Sequence, residues 1–361
     1  MNDFESLVAL NLIPQVGSTR LTGLLEYFQK PENIFKGSRQ ELLAVCGEKI
    51  AQNIAAFNSR LLEDDLVLAK KSGLRIITLF DRDYPRLLKE IPGAPIVLYV
   101  SGNISVADNP SIGIVGSRRA SFYGSNNAEK FAAELSAQGI TIISGMARGV
   151  DTCAHKGALK AKGRTVAVMG SGFSHIYPPE NAGLSKKISE NGAVISEFPM
   201  KTKPLAQNFP RRNRLISGLS LGVLVAEAAR NSGALITADF ALEQGREVFA
   251  LPGRIDSLGS TGPNSLLKQG AKLVTCCEDI LEELNLPFSP VVDHEREAAG
   301  RKLSSSKEEE MVYGCISREA ITIDELMEKT SKPCGYLASL ILKLQFKKLI
   351  RELPGKQFMR N

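Results

Sequence analysis

The sequence contains no tryptophan, and aromatic residues make up only 6% of its 361 residues. Few flat side chains are therefore available on which nucleic-acid bases could stack. Long hydrophobic runs are also missing, since no stretch approaches the roughly 18–20 apolar residues of a membrane-spanning helix. The first ten residues, MNDFESLVAL, carry acidic side chains where a secretory signal would carry positive charge. We therefore expect a cytoplasmic protein with no membrane partner.

Cysteine is scarce and scattered, with six residues that form no CxxC pair and no Cys/His cluster of zinc-binding spacing. This pattern is typical of buried, reduced thiols in a reducing compartment. We expect neither a disulfide framework nor a metal site.

The sequence fingerprints of nucleotide cofactors are absent as well. No GxGxxG segment opens a helix with an acidic residue after the next strand, and no GxxxxGK[ST] segment occurs. Asp151 and His155 lie one helical turn apart, a spacing more typical of a residue at a helix N-terminus and its partner on the helix surface than of a catalytic pair. We therefore expect no cofactor and no catalytic residue.

The net charge of the chain is only +6, but the positive charge is concentrated in two segments. The segment from Lys201 to Arg214 contains basic residues and no acidic one, and the chain after Lys332 is strongly basic. When such clusters bind a polyanion, counterions of the polyanion are released, and this release favours the complex. The distribution of charge thus favours a nucleic acid as the partner.

Residues 1–65 have the pattern of an all-helical domain. Val16-Gly17 and Cys46-Gly47 each precede a helical segment, predicted over 20–28 and 49–57, which suggests paired helix-hairpin-helix units of a SAM-like domain. Tight turns of this kind present backbone N–H groups at a helix N-terminus, where phosphate can bind. The alternative is a plain helical cap that packs on the main domain.

Residues 66–287 alternate short apolar runs with helix-length segments. Continuous Val/Ile runs between helices predict a doubly wound α/β domain whose mostly parallel sheet is covered on both faces. The predicted strands are 74–79, 96–100, 112–115, 140–144, 165–169, 193–196, 221–226, 247–250 and 272–275.

Residues 288–306 are polar without an apolar periodicity, and we interpret them as a linker. Residues 307–361 contain three helical patterns, 308–316, 322–330 and 335–349, followed by two short strands around Pro354-Gly355. Thr322 and Glu325 form a capping box at the second helix. Three helices and a β-hairpin predict a winged helix.

Glycine, serine and arginine follow several strands of the predicted sheet, at the edge where doubly wound folds bind their ligands. Glycine lets the backbone approach a ligand, serine donates to phosphate oxygens and arginine binds phosphate bidentately. The segment after the strand 193–196 is expected to be a long basic loop that ends at 209–219. Four such loops would form one anion-binding rim in which Arg118, Arg148 and Arg214 share a groove. The candidate DNA-binding residues are Gly116, Ser117, Arg118, Ser121, Ser144, Gly145, Arg148, Gly149, Gly170, Ser171, Gly172, Lys201, Lys203, Arg211, Arg212, Asn213, Arg214, Ser217 and Gly218.

These loop sequences resemble the successive signatures of the DprA/Smf family. The matching strings are IVGSRRAS (114–121), SGMARGVD (144–151), GSGFSHIYPPEN (170–181), SEFP (196–199), FPRRNRLISGLS (209–220), SGALITADFALEQGREVFALPG (232–253) and GSTGPNSLLKQGA (259–271). The C-terminal string LKLQFKKLIRELPGKQF (342–358) also resembles the winged helix of that family.

The resemblance implies a Rossmann-like domain that binds single-stranded DNA without sequence specificity, protects it and loads the RecA recombinase onto it during natural transformation. It also implies a homodimer formed through the Rossmann-like domain. The residues carried over are Arg118, which would pair with phosphate, Ser144, Gly145, Arg148 and Gly149 in the next loop, and Arg211, Asn213, Arg214, Ser217 and Gly218, which would complete the groove.

Two other functions stay open. Nucleotide phosphoribohydrolases of the LOG type share this sheet architecture, but their PGGxGTxxE loop is missing at 231–239. A regulator of duplex DNA that acts through the winged helix is the second alternative. It predicts tighter binding to double strands, which disappears when residues 303–361 are removed.

Overall fold

The computed structural model describes residues 1–105, 108, 110–287, 307–317, 320–347, 349–353 and 355–360. The predicted linker at 288–306 lies outside the described residues. Contacts divide the chain into two compact units, 1–290 and 291–361.

The N-terminal part is helical as predicted. Its helices are α1 (Asp3–Leu12), α2 (Ser18–Phe28), α3 (Pro31–Ile34), α4 (Arg39–Cys46), α5 (Glu48–Ala55) and α6 (Ser59–Lys71). Gly17 lies at the N-cap of α2 and Gly47 at that of α5, where Gly47 has a positive φ of 78°. Both glycines thus occupy the turns that the sequence pattern assigned to them.

The helical core continues directly into the sheet of the first unit. Tyr99 and Met200 belong to the same buried cluster as the helix residues. The Tyr99 hydroxyl donates to Asp65 Oδ2 at 2.6 Å, and the Met200 N–H donates to Asp65 Oδ1 at 2.8 Å. The predicted boundary after residue 65 falls within α6, and the division into separate domains at that point stays a prediction.

Among the described residues, nine strands form one sheet in the order β1-β2-β6-β5-β4-β3-β7-β8-β9. Strands β3 to β9 pair in parallel, whereas β1 pairs antiparallel with β2, and β2 antiparallel with β6. The mostly parallel, doubly wound sheet is therefore confirmed. The strands are β1 (Arg75–Thr78), β2 (Val97–Gly102), β3 (Ser111–Gly116), β4 (Thr141–Ser144), β5 (Thr165–Val168), β6 (Gly192–Ser196), β7 (Gly222–Glu227), β8 (Glu247–Ala250) and β9 (Lys272–Leu273).

Helices cover both faces of this sheet. In β3, Ile112 and Ile114 pack into the core on one face and Val115 into the core on the other. A strand buried on both sides needs apolar residues throughout, which is why its sequence is continuous rather than alternating. The helices are α7 (Arg86–Lys89), α8 (Phe122–Ala137), α9 (Val150–Lys160), α10 (Ala182–Asn191), α11 (Asn208–Gly218), α12 (Gly233–Glu243), α13 (Thr261–Lys268) and α14 (Cys277–Glu283).

One part of the sequence interpretation is wrong. The segment after β6 was expected to be a long basic loop that ends near residue 219, but residues 208–218 form α11. Leu215 and Ile216 are both buried on this helix, and their packing under the sheet stabilises helical backbone. The side chains of residues 211–218 consequently project to different sides of a helix, whereas in a loop they could all have faced the same edge of the sheet.

The second unit has the winged-helix arrangement. It contains α15 (Lys307–Cys315), β10 (Ile321–Thr322), α16 (Ile323–Thr330), α17 (Cys334–Phe346), β11 (Ile350–Leu353) and β12 (Gln357–Arg360). Strand β12 pairs with both β10 and β11, and all three are antiparallel. The capping box of Thr322 and Glu325 is confirmed at the start of α16.

Candidate nucleic-acid interface

Strand β3 is the point at which the order of the parallel sheet reverses, because its neighbours are β4 on one side and β7 on the other. The connections from β3 and β7 leave to opposite sides, so a crevice opens beyond the strand ends. A cleft of about 650 Å³ lies there, and we call it the switch cleft. The cleft is lined by residues from the β3–α8 and β4–α9 loops, from the segment before and within α11 and from the start of α12. These lining residues are Val115, Gly116, Ser117, Arg118, Arg119, Ala147, Asp151, Tyr177, Pro204, Ala206, Phe209, Pro210, Arg212, Asn213, Ile216, Ala229, Asn231, Ser232, Gly233, Ala234 and Thr237.

The loop from β3 to α8 is fastened to the end of β7. The Ser117 N–H donates to the carbonyl oxygen of Glu227 at 2.7 Å. Ser121 caps α8 through Gly124 N–H, and its hydroxyl donates to the Glu227 carboxylate. A Cβ on Gly116 would lie 2.6 Å from Val150, so glycine is required for the close approach of α9. The loop is therefore held rigidly, with Gly116 and Ser117 in the lining.

Arg118 is exposed at the mouth of the switch cleft. Its guanidinium carbon lies 4.9 Å from the centroid of the Phe209 ring, a cation–π arrangement. The Phe209 ring contacts the Tyr177 ring at 5.6 Å between centroids. Arg119 is the next residue of the lining and is exposed as well. The guanidinium of Arg118 is thus positioned by an aromatic pair and remains accessible to an anion.

The loop from β4 to α9 contributes one exposed cation, Arg148. Its guanidinium forms an ion pair with Glu180, which raises the pKa of Arg148, and Tyr177 lies next to it. Ser144 is fully buried, and its hydroxyl donates to the Ile114 carbonyl at 2.6 Å. Gly149 has a φ of 72°, and a Cβ there would lie 2.2 Å from the Ser117 carbonyl oxygen. Ser144 and Gly149 therefore hold the loop in place.

Arg212 is only 3% exposed and lies beneath the switch cleft. Its guanidinium donates to the carbonyl oxygens of Gly145 and Val168. Burial lowers the pKa of Arg212 to about 10, and the nearby carboxylate of Asp151 opposes this shift. Burial raises the pKa of Asp151, which Arg212 opposes in turn. Arg212 thus connects the ends of β4 and β5 from below.

The glycine-rich turn after β5 is packed rather than open. Gly170, Ser171 and Gly172 are all buried. A Cβ on Gly170 would lie 2.9 Å from the Phe209 ring, and one on Gly172 2.0 Å from the Pro199 carbonyl oxygen. The Ser171 hydroxyl donates to the His175 carbonyl at 2.7 Å. The turn after β5 therefore packs closely against the Phe209 ring and supports it.

The basic residues after β6 fall into separate places. Lys201 is exposed and pairs with Asp64 at 3.2 Å, and Lys203 is exposed. Arg211 and Arg214 both pair with the buried carboxylate of Glu197. Burial lowers the pKa of Arg214, which is 15% exposed in its side chain. Arg214 therefore faces Glu197 and does not share the cleft with Arg118.

Three further candidates on α11 are buried. The Asn213 side chain lines the switch cleft and donates to the Gly233 carbonyl at 3.0 Å. Ser217 is fully buried and bonds the Arg214 carbonyl within its own helix. A Cβ on Gly218 would lie 2.7 Å from Ile91. Of these three, Asn213 is the one that lines the same cleft as Arg118 and Ser117.

Residues at the start of α12 complete the cleft, although they were not among the candidates. Asn231, Ser232, Gly233 and Thr237 line it, and Ser232 caps the helix through Ala234 N–H. The positive end of the helix dipole consequently lies at the cleft wall. The sequence does contain a signal for this part of the site, because Ser232 follows an apolar strand and directly precedes a helix, as N-cap residues do.

The expectation for His155 is wrong in one respect. His155 is fully buried rather than on a helix surface, and its Nδ1 lies 2.7 Å from Thr165 Oγ1. Asp151 lies in the first turn of α9 as expected, and it accepts the Ala147 N–H at 3.3 Å. The two side chains face different surroundings, the cleft floor for Asp151 and the sheet for His155.

Among the described residues, no group of three or more His, Cys, Asp or Glu side chains is arranged to hold a metal ion. Nor does any helix in the described part of the chain combine the length and apolar character needed to cross a bilayer.

Known proteins match most of this chain. Residues 75–285 match the family model for DNA recombination-mediator protein A, and residues 296–356 match that for the DprA winged helix domain. Protein Smf of Escherichia coli is 39% identical over 312 residues, which cover 84% of this chain and 82% of that protein.

Two solved structures are similar in fold and sequence. The X-ray structure of DNA processing protein A from Streptococcus pneumoniae matches with a TM-score of 0.69 and 33% identity, over 80% of this chain and 100% of that one. DNA processing protein A from Helicobacter pylori, a structure described for its unique single-stranded DNA binding mode, matches with a TM-score of 0.53 and 30% identity, over 59% of this chain and 97% of that one. From the family models, the relatives and the shared fold together, this chain belongs to the DprA/Smf family of DNA-processing proteins.

Proposed function

We propose that this protein binds single-stranded DNA without sequence specificity through the switch cleft. The observation that carries the proposal is the exposed guanidinium of Arg118, held 4.9 Å above the Phe209 ring at the mouth of the cleft. Ser117, Arg119 and the N-terminus of α12 line the same cleft. Arginine, serine and a helix N-terminus are phosphate-binding groups, whereas base-edge readers are not needed for binding of this kind.

We further propose, from the family resemblance, that the bound strand is protected and passed to the RecA recombinase during DNA uptake, with the protein acting in the cytoplasm. The protein itself has a non-catalytic role in this proposal. Release of ribose 5-phosphate from nucleoside monophosphates by the purified protein would contradict that role.

We also propose a homodimer formed by the sheet unit. Strand β9 is an edge strand of the described sheet, and its Leu273 is half exposed. Ile255 and Leu258 are also highly exposed in this unit. Exposed apolar side chains together with an unpaired strand edge favour association with a second copy. Light scattering of the wild type and of Leu273→Glu tests this, since a dimer through β9 requires the variant to be monomeric.

The test of DNA binding compares single-stranded and duplex oligonucleotides over a range of salt concentrations. The wild type should bind the single strand more tightly. Arg118→Ala should weaken this binding about 10- to 100-fold, as expected for a charged hydrogen bond. It should also flatten the salt slope by about 0.7, the contribution of one phosphate contact.

Arg82→Ala is the matched control, because Arg82 is exposed and does not line the switch cleft. Normal affinity in Arg118→Ala, or an equal loss in Arg82→Ala, would remove the switch cleft from the proposal. Tighter binding to the duplex would favour the winged-helix regulator instead.

A further inference from the structure

A second groove, of about 530 Å³, lies between α9 and α10, and we call it the lysine groove. Lys156 and Lys160 are one turn apart on α9, and Lys187 lies on α10. Leu159 and Leu184 lie between the two helices, partly buried against the core. The remaining lining residues are Glu180, Asn181 and Asn191.

The charge of this groove is strongly unbalanced. Within its described lining, three lysines face a single carboxylate, that of Glu180, and Arg148 is paired with that carboxylate. Lys160 lies 3.2 Å from Glu129, whereas Lys156 and Lys187 are exposed in the groove. The groove therefore presents excess positive charge over two facing helices, which suits an extended polyanion.

The lysine groove is joined to the switch cleft by specific contacts. Asn181 is buried, and its Nδ2 donates to the Met146 carbonyl and to Thr152 Oγ1, both at 2.9 Å. The end of the groove is thereby fastened to the β4–α9 loop, which carries Arg148. Arg148 is in turn next to Tyr177, a residue of the cleft lining. The Arg148–Glu180 ion pair thus lies between the two openings, because Glu180 lines the groove and Arg148 is next to Tyr177 of the cleft.

We propose that the lysine groove is a second segment of the DNA track, which binds phosphates of the same single strand after it leaves the switch cleft. The ion pair of Arg148 and Glu180 lies at the junction, where a phosphate competes with Glu180 for Arg148. This inference rests on the proposed function of the switch cleft. It adds a binding segment on α9 and α10 whose lining contains none of the candidate DNA-binding residues predicted from the sequence.

The test uses the full chain and oligothymidylates of about 5 and about 20 nucleotides, a range that brackets typical single-strand site sizes. The double variant Lys156→Ala/Lys187→Ala should bind the short strand like the wild type. It should bind the long strand at least fivefold more weakly, with a salt slope lower by about 1.4, the value for two phosphate contacts.

The matched control is Lys186→Ala/Lys268→Ala, which also removes two exposed lysines but none from the groove. It should match the wild type with both strands. If Lys156→Ala/Lys187→Ala binds the long strand like the wild type, the proposal that the lysine groove binds DNA is refuted. Equal weakening of the binding of both strands refutes it as well.

Failure of the proposed function gives a different result. In that case the wild type binds neither strand, or Arg118→Ala binds both strands normally. Either result refutes the proposed function of the switch cleft and, with it, the role of the lysine groove. If Arg118→Ala weakens both strands while the lysine variant weakens neither, the switch cleft stands and only the second segment is refuted.

Discussion

The guanidinium of Arg212 donates a hydrogen bond of 2.6 Å to the carbonyl oxygen of Gly145. A Cβ at residue 145 would lie 2.5 Å from the Nη2 atom of the same guanidinium, so the contact requires glycine. This relationship separates two arginines that look alike in the sequence. Arg212 is buried and holds the strand ends together, whereas Arg118 is exposed and free to meet a ligand.

Arg212→Ala should lower the free energy of unfolding by about 3–5 kcal/mol. The change leaves the buried carboxylate of Asp151 without its opposing charge and the Gly145 and Val168 carbonyls without their donor. Urea denaturation followed by circular dichroism measures this loss. Arg119→Ala, which removes an exposed arginine nearby, should stay within about 0.5 kcal/mol of the wild type. Equal stability of the two variants would contradict a structural role for Arg212.

Phe209→Leu should weaken single-strand binding about two- to fivefold, because the cation–π contact that positions Arg118 is lost. The salt slope should stay unchanged, since the charge of Arg118 is retained. Phe198→Leu is the matched control, because the Phe198 ring also contacts an arginine, Arg211, but does not line the cleft. Fluorescence anisotropy over a salt series distinguishes the two. A lower slope in Phe209→Leu would mean that the ring does more than orient Arg118.

Glu180→Gln should raise the affinity for single strands about two- to fivefold. The substitution removes the carboxylate that pairs with Arg148, and the free guanidinium then meets phosphate without a competitor. Glu190→Gln, on the exposed side of α10, has the same change in charge away from Arg148 and should have a smaller effect. If both variants gain equally, the effect is one of net charge, and Arg148 is not part of the track.

A fragment of residues 1–290 should fold and keep single-strand affinity, whereas a fragment of residues 70–290 should be unstable. The shorter fragment loses Asp65, the acceptor for both Tyr99 and Met200, and exposes the apolar cluster that these residues share with α1–α6. Thermal unfolding of the two fragments tests this. A cooperative transition of the shorter fragment at the temperature of the longer one would show that the helical part is dispensable for stability.

Acid should destabilise the protein through His155. Burial lowers the pKa of its imidazole from 6.5 to about 3, so in this pH range the unfolded chain binds a proton that the folded chain does not. The stability from the neutral imidazole is complete above pH 6.5 and is lost as the pH falls towards 3. The expected slope from this group is about 1.4 kcal/mol per pH unit.

The comparison with His155→Gln isolates this contribution, because the variant cannot titrate at this position while other groups remain the same. Urea titrations at pH 7, 6, 5 and 4 should show a steeper loss for the wild type. Parallel pH profiles for the two proteins would show that residue 155 does not control the acid sensitivity.

Much of the architecture could be predicted from local patterns. Apolar runs such as Ile112–Val115 indicated the strands, because a parallel strand covered on both faces cannot alternate in polarity. Gly116 and Ser117 were predicted to lie at the edge where doubly wound sheets bind ligands, since that edge follows from the chain direction, and both line the switch cleft. The capping box of Thr322 and Glu325 was equally visible, because it joins residues only three apart.

The direction of each side chain was decided by the tertiary structure. Arg211, Arg212 and Arg214 are near neighbours in the sequence, yet Arg212 alone is buried under the cleft. Arg211 and Arg214 both pair with Glu197, and of these two Arg211 is the exposed one. Helix α11 rotates successive residues by about 100°, and burial of Leu215 and Ile216 fixes which side faces inward.

By itself, the sequence determined the doubly wound sheet, the winged helix and the edge of the sheet at which the switch cleft opens, since these depend on periodicity and chain direction. Only the folded chain decided that Arg118 is accessible and Arg212 is not, and that Lys156 and Lys187 share a groove. The physical reason is that accessibility and partners depend on packing between segments far apart in the chain, such as the contact of Arg212 with Gly145, which no local pattern encodes.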